Sequence, residues 1–261
     1  MDMVTRQTPM VLPSLKGWAL FLDFDGTLID IADSPDAVIV PPDLPRLLQA
    51  LHELAGGAVG VVTGRSIETV DDFLAPLILP VAGIHGAEMR FADGHIQSAS
   101  ENPALKAIGI DLRALVDENP GLLLEDKGRA LAVHYRQKPE LGEMVEAHVR
   151  GLVDKMEDLP GESLEIQPGK MVVEIRPGGI NKGRAVEIFL ERAPFAGRRP
   201  LVIGDDWTDE AAFRVANKHG GRSIRVGCDE RPTEASEKLP DPSAVRDWLA
   251  QLVAPETEPS S

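Results

Sequence analysis

The stretch 18-WALFLDFDGT-27 is apolar over its first five residues and then carries two carboxylates, Asp23 and Asp25, with Phe24 between them. Short, and bounded by Gly17 and Gly26, the run WALFLDF predicts a buried strand rather than a helix. Asp23 and Asp25 then stand at its carboxyl end. Alternation along a strand points both side chains the same way, and Gly26 lets the chain turn sharply behind them. Acidic groups at the tip of so apolar a strand lie where burial is costly, so a capping role accounts poorly for the pair.

The flanking sequence predicts what this strand pairs with. Leu44, Leu47, Leu48, Leu51 and Leu54 recur at helical spacing over 44–55, with Asp43 as the expected cap and Gly56 as the stop. AVGVV at 58–62 predicts a second buried strand ending at Thr63, 66–74 a helix, and 79–84 a third strand. Strands alternating with helices at this pitch indicate right-handed crossovers and a parallel sheet. The rhythm then changes. MRF and HIQ flank Ala92-Asp93-Gly94 as a hairpin, and from there a helix is followed by a hairpin twice: a helix from Pro103, GLLLED against RALAVHYR, a helix from Pro139 to about Leu159, and SLEIQP against MVVEIRP. After Gly179 the βα rhythm returns, with a helix over 181–192, the strand LVIG at 201–204, a helix near 210–217, the strand SIRV and a last helix ending near Val253. The expected architecture is an α/β, Rossmann-like parallel-sheet core over 1–102 plus 180–261, interrupted by an α+β cap over 103–179.

Composition narrows the function. With 27 Lys and Arg against 42 Asp and Glu, the formal charge of −15 disfavours nucleic acid as a partner. The single cysteine, Cys228, excludes an internal disulfide and a cysteine-based metal site, and fits a reducing cytoplasm. No apolar run is long enough to span a membrane as a helix. Residues 1–13 are expected to be a loose leader and the PETEPSS tail to be disordered. His52 and His219 lie on helical stretches without a zinc pattern, and no GxxxxGK[ST] loop is present. Trp18, Trp207 and Trp248 are expected to pack.

The chemistry gathers at the strand tips, where parallel α/β sheets bind ligands. Asp23 and Asp25 end one strand and Thr63 another. Asp205 and Asp206 follow a third, and Asp209 lies where a turn can return it to the same crevice. Five carboxylates packed together require a proton or a cation among them, and an all-oxygen site suits Mg²⁺. Asp206, taken alone, reads better as a helix cap. Asp23 is suited to attack phosphorus and form an aspartyl phosphate, and Asp25 to protonate the leaving alkoxide and then deprotonate water. Thr63 offers a hydroxyl and Lys182 a charge to the phosphoryl oxygens.

DFDGT at 23–27, Thr63, Lys182 and GDDWTD at 204–209, in that order, resemble the four motifs of the haloacid dehalogenase superfamily. The resemblance implies Mg²⁺ held by Asp23, Asp205 and the backbone carbonyl of Asp25, with Asp209 close by, and an α+β cap between the second and third motifs. GIHGAE at 83–88, LEDKG at 124–128, HYR at 134–136, GKMVVEIRP at 169–177 and NKG at 181–183 further resemble the trehalose-6-phosphate phosphatase family. That implies a sugar-phosphate substrate met by Glu125, Lys127 and Glu174, with His85, Arg136, Lys170, Arg176 and Asn181 as neighbours. A free-standing, monomeric phosphatase is expected. Alternation puts Lys170, Val172, Glu174 and Arg176 on one strand face and Met171, Val173 and Ile175 on the other. The charged face suits directional hydrogen bonds to hydroxyls, though a solvated sheet has the same pattern. Another capped sugar phosphatase, a phosphomutase using the same aspartate, and a non-catalytic sugar-phosphate sensor remain as alternatives.

Overall fold

Alternation in the first strand feeds two cores at once. Trp18, Leu20 and Leu22 point into one, while Ala19 and Phe21 point into the other, and all five are buried. A strand covered on both faces belongs in the middle of a parallel sheet. The computed structural model of the chain describes residues 14–32, 37–100, 102–156, 163–169 and 171–254. In chain order its elements are β1 (Trp18–Leu22), α1 (Leu44–Leu54), β2 (Val59–Val62), α2 (Ile67–Leu74), β3 (Val81–Gly83), β4 (Glu88–Arg90) and β5 (Ile96–Ser98). They continue with α3 (Pro103–Glu118), β6 (Leu123–Asp126), β7 (Leu131–His134), α4 (Gly142–Asp154), β8 (Leu164–Gly169) and β9 (Val172–Pro177). The last are α5 (Lys182–Leu190), β10 (Arg199–Gly204), α6 (Glu210–Lys218), β11 (Arg222–Val226), β12 (Glu237–Leu239) and α7 (Pro242–Val253).

The chain divides into two compact units, Met1–Ile96 with Asn181–Ser261, and Gln97–Ile180. The larger sheet has the order β12-β11-β10-β1-β2-β3-β4-β5, parallel from β12 to β3 and antiparallel between β3 and β4. Apolar residues of α1, α2 and α7 fill the core on one face, and those of α5 and α6 fill the other. Strand order reverses at β1, which pairs with β2 on one side and β10 on the other. The crevice above the carboxyl end of such a switch strand is where this sheet type places ligands. Helix α5 crosses α6 so closely that a methyl group on Gly183 would lie 2.6 Å from the carbonyl oxygen of Ala211. Gly183→Ala is therefore expected to lose about 1–3 kcal/mol, since a backbone clash outweighs a helix-propensity gain of at most about 1 kcal/mol. A lower denaturant midpoint at unchanged slope would show it.

The second unit is an antiparallel sheet, β6-β7-β9-β8. Leu131, Val133, Val173 and Ile175 line one of its faces and share a core with Leu105, Ile108 and Leu112 of α3 and Val145, Val149 and Leu152 of α4.

Three local expectations change, and one strand is added. Asp43 has helical backbone geometry and makes no side-chain cap bond; α1 begins instead with a proline in its first turn. Pro139 opens a single 3₁₀ turn, and α4 runs from Gly142 only to Asp154, short of the expected end near Leu159; the leader and the tail fall outside the described residues. Met171 does not join the apolar face: at φ 62° it sits in the tight connection before β9 and is 40% exposed. β12 is a three-residue strand, too short to show a period in sequence, and it is placed by pairing with β11.

Candidate active site

The tips of β1, β2 and β10 lie side by side, so residues far apart in sequence meet at one edge. Asp23 is buried, and its N–H donates to the carbonyl of Ile203 at 3.0 Å, fixing its height against β10. Gly26 turns the chain at φ +76°, where a side chain would be strained and would also run into the Asp205 carboxylate. Lys182 is the first residue of α5 and is buried, and Asn181 caps that helix by accepting the Arg184 N–H at 2.9 Å. The Lys182 ammonium lies 2.8 Å from Asp23 Oδ1 and 2.8 Å from Asp209 Oδ1. Asp209 Oδ2 accepts from the N–H groups of Asp205, at 3.1 Å, and Asp206, at 3.0 Å. Asp209 thus ties the turn after β10 to the lysine, and its folding back is the geometry the spacing anticipated.

Asp23, Asp205 and Asp209 place oxygens within 4.8 Å of one another. One ammonium faces three carboxylates, Asp23 and Asp209 buried and Asp205 half-buried. Burial and the neighbouring Asp209 push the Asp23 carboxyl well above the usual aspartate value, and the same two causes push Asp205 up to about 7. Burial works against the Lys182 ammonium, but Asp209 and Asp23 outweigh it and hold the group firmly protonated. Carboxylate oxygens crowded this closely are sustained only around a proton or a cation. Three hard oxygen donors with a shared positive requirement fit a divalent metal ion. Because Asp209 already engages Lys182 and two N–H groups, Asp23 and Asp205 are the carboxylates with capacity to spare.

Of the five carboxylates expected to converge, these three do. Asp25 is taken by Arg65, whose Nε and Nη2 donate to its two oxygens at 2.7 and 2.8 Å. The guanidinium lies over the Phe73 ring, 5.1 Å from its centroid, and that ring stacks on Phe24. The Arg65 N–H donates to Thr63 Oγ1 at 3.2 Å, and its carbonyl accepts from Ile84. Arg65 therefore joins the tips of β1, β2 and β3. His85, buried and left-handed at φ 56°, donates its N–H to the Thr63 carbonyl at 2.8 Å. Asp206 caps the turn before α6 by accepting the Asp209 N–H, as the local sequence suggested, and is approached by Arg231. Trp207 is not packed into the interior; it is 51% exposed beneath the Arg231 guanidinium.

In the second unit, register places Glu125, Ala132, Glu174 and Gln167 in one row across the sheet, on the face opposite its core. The Lys127 ammonium is 2.7 Å from Glu174 Oε2 and 4.0 Å from Glu125 Oε2. His134 Nε2 is 2.8 Å from Glu125 Oε2. Burial pushes Glu125 up, but the His134 hydrogen bond and Lys127 overcome it and the net shift is downward. Arg176 occupies the same face and donates to Gln167 at 3.0 Å; burial lowers its otherwise very high value. Arg136 lies in the turn after β7 rather than on the sheet, and Lys170 is outside the described residues. Sequence reasoning missed Arg65, Arg231, His134 and Gln167. Arg65 had one local signal, its position just past a strand tip; the other three acquire partners only through register or loop return.

Known proteins align with this arrangement along most of the chain. The fold is that of the C-terminal domain of Candida albicans trehalose-6-phosphate phosphatase, with a TM-score of 0.78 and 24% identity over 92% of this chain and 93% of that one. The family model and the relatives that match this frame define a phosphoric monoester hydrolase. Within it, the family described as trehalose-phosphatase matches residues 21–243. A probable trehalose-phosphate phosphatase of Sinorhizobium fredii is 46% identical over 91% of this chain and 88% of its own length. The trehalose-6-phosphate phosphatase of Escherichia coli is 38% identical over 90% and 86%. The chain belongs to the trehalose-phosphatase family. Among the described residues no helix is long and apolar enough to cross a membrane.

Proposed function

We propose that this protein hydrolyses trehalose 6-phosphate to trehalose and phosphate through an aspartyl phosphate on Asp23, with Mg²⁺ as its cation. The observation that carries the reading is the buried cluster in which Lys182 binds Asp23 and Asp209 while Asp205 faces Asp23. Lys182 aims the Asp23 carboxylate and offsets charge brought by a phosphoryl group. Asp23 attacks phosphorus as Asp25, released from the Arg65 guanidinium that holds both its oxygens in this structure and carrying a proton, gives that proton to the departing sugar oxygen. Asp25 then takes a proton from the water that cleaves the acyl phosphate. Thr63 donates its hydroxyl to a phosphoryl oxygen. Asp23, Asp205 and the Asp25 backbone carbonyl would hold Mg²⁺, with Asp209 anchoring the turn, and the bound ion would supply positive charge to the phosphoryl oxygens.

The polar sheet face of the second unit gives the sugar specificity in this reading. Glu125, Lys127 and Glu174 bond the disaccharide hydroxyls through charge-assisted hydrogen bonds, with His85, Arg136, Lys170, Arg176 and Asn181 as further contacts. The protein acts as a cytoplasmic monomer. With Mg²⁺ present, phosphate release from trehalose 6-phosphate is expected to exceed that from glucose 6-phosphate or sucrose phosphate by at least about 100-fold in kcat/KM, the discrimination buried polar contacts supply. Equal rates on all three would remove the substrate assignment, and an isomerised sugar phosphate without free phosphate would replace hydrolysis by a mutase reaction.

A further inference from the structure

Beyond the cluster itself, one loop reaches back onto the turn that carries Asp205. Arg225, on β11, has no exposed surface. Its Nη1 donates to the carbonyls of Asp229, at 3.4 Å, and Arg231, at 3.2 Å, and its Nη2 pairs with the Asp229 carboxylate. The loop 227–231 is thereby held from inside. From it Arg231 donates through Nη2 to the carbonyl of Asp205, places Nη1 3.6 Å from Asp206 Oδ1, and lies over the Trp207 ring at 4.8 Å. One guanidinium thus engages three consecutive residues of the turn.

The neighbour it engages is a fourth carboxylate, Asp206, adjacent in the chain to Asp205 and bonded through its N–H to Asp209. We propose that Arg231 is a positioning residue that sets the cation preference of the site. By occupying Asp206 and pinning the Asp205 carbonyl it keeps the ligand set small and rigid. A small, rigid oxygen set favours Mg²⁺, which demands near-octahedral geometry, over Ca²⁺, which gains from extra and more mobile ligands. The inference rests on the cluster being the metal centre. Loss of Arg231 has two effects of one sign for Ca²⁺, since a positive charge beside Asp206 disappears and the carbonyl of Asp205 is unpinned.

The test uses chelator-treated full-length protein titrated separately with MgCl₂ and CaCl₂, following thermal denaturation and calorimetric binding. Arg231→Gln should tighten Ca²⁺ binding tenfold or more and shift the Ca²⁺/Mg²⁺ affinity ratio at least fivefold toward Ca²⁺. Adding Asp206→Asn, which retains a capping side chain, should return that ratio to within twofold of the parent. Arg231→Lys keeps the charge but not the fork, and should shift the ratio twofold or more in the same direction even if the glutamine variant does not fold. A lower metal-free Tm with an unchanged ratio in both variants, or a Ca²⁺ gain that survives Asp206→Asn, overturns the inference. Absence of any Mg²⁺-dependent Tm rise in the parent protein would instead overturn the metal-centre reading.

Discussion

Asp23→Asn abolishes turnover while leaving a folded protein: kcat falls by about 10⁴ or more, the scale of removing a covalent nucleophile. The fold survives because asparagine matches the aspartate in shape and the substitution removes one of three mutually repelling carboxylates. Lys182 keeps Asp209 as its partner at 2.8 Å. The metal-free variant is therefore expected to melt at or above the temperature of the parent protein. Acid-quenched samples incubated with radiolabelled substrate should carry label on the parent protein and none on the variant. Residual activity above about 1% of the parent, on a preparation free of contaminating phosphatase, would remove Asp23 as nucleophile.

Lys182→Met carries the largest expected effect on stability. The ammonium is buried and bridges Asp23 and Asp209, so its removal leaves carboxylates uncompensated in a dry site, a change that costs about 3–5 kcal/mol. The penalty depends on pH with a definite sign. Asp205 rises from its usual 3.8 to about 7 on folding, and Asp23 rises as well. A carboxyl with a raised folded value stabilises fully below its unfolded value and loses that contribution as pH rises through the folded one. Metal-free parent protein therefore weakens between about pH 4 and 7. The lysine variant, lacking the one cation that opposes these shifts, should weaken more steeply across that range. Melting in chelator at pH 5 and pH 8 measures it: the deficit of Lys182→Met against the parent should be larger at pH 8, and a pH-independent deficit would contradict the account. The same linkage makes the stabilisation by added divalent ion grow with pH, because the ion competes with protons for Asp23 and Asp205.

Much of this site was legible because its residues announce themselves locally. An apolar run that ends in Asp-Phe-Asp-Gly-Thr places charge at the tip of a strand whose burial needs no knowledge of its neighbours. The 204–209 segment was legible in the same way, as acidic residues after an apolar strand, whereas Lys182 had its meaning only as one of a set. What failed was the count of converging carboxylates. Asp25 and Asp206 each have an arginine partner, 40 residues away at Arg65 and 25 away at Arg231, and nothing in the intervening sequence encodes either meeting. His134 escaped for a similar reason: its contact with Glu125 depends on the pairing of β6 with β7, where a one-residue slip would send it to the opposite face.

By itself the sequence determined the alternation of strands and helices, the inserted second unit, the acidic strand tips and the membership of its family, all of which depend on periodicity, charge or motif within short windows. Only the tertiary structure decided which carboxylates face one another and which are already spoken for by guanidinium groups. Those outcomes rest on side chains brought within 3 Å by strand register and by loops that return across the sheet, distances that no local pattern of residues encodes.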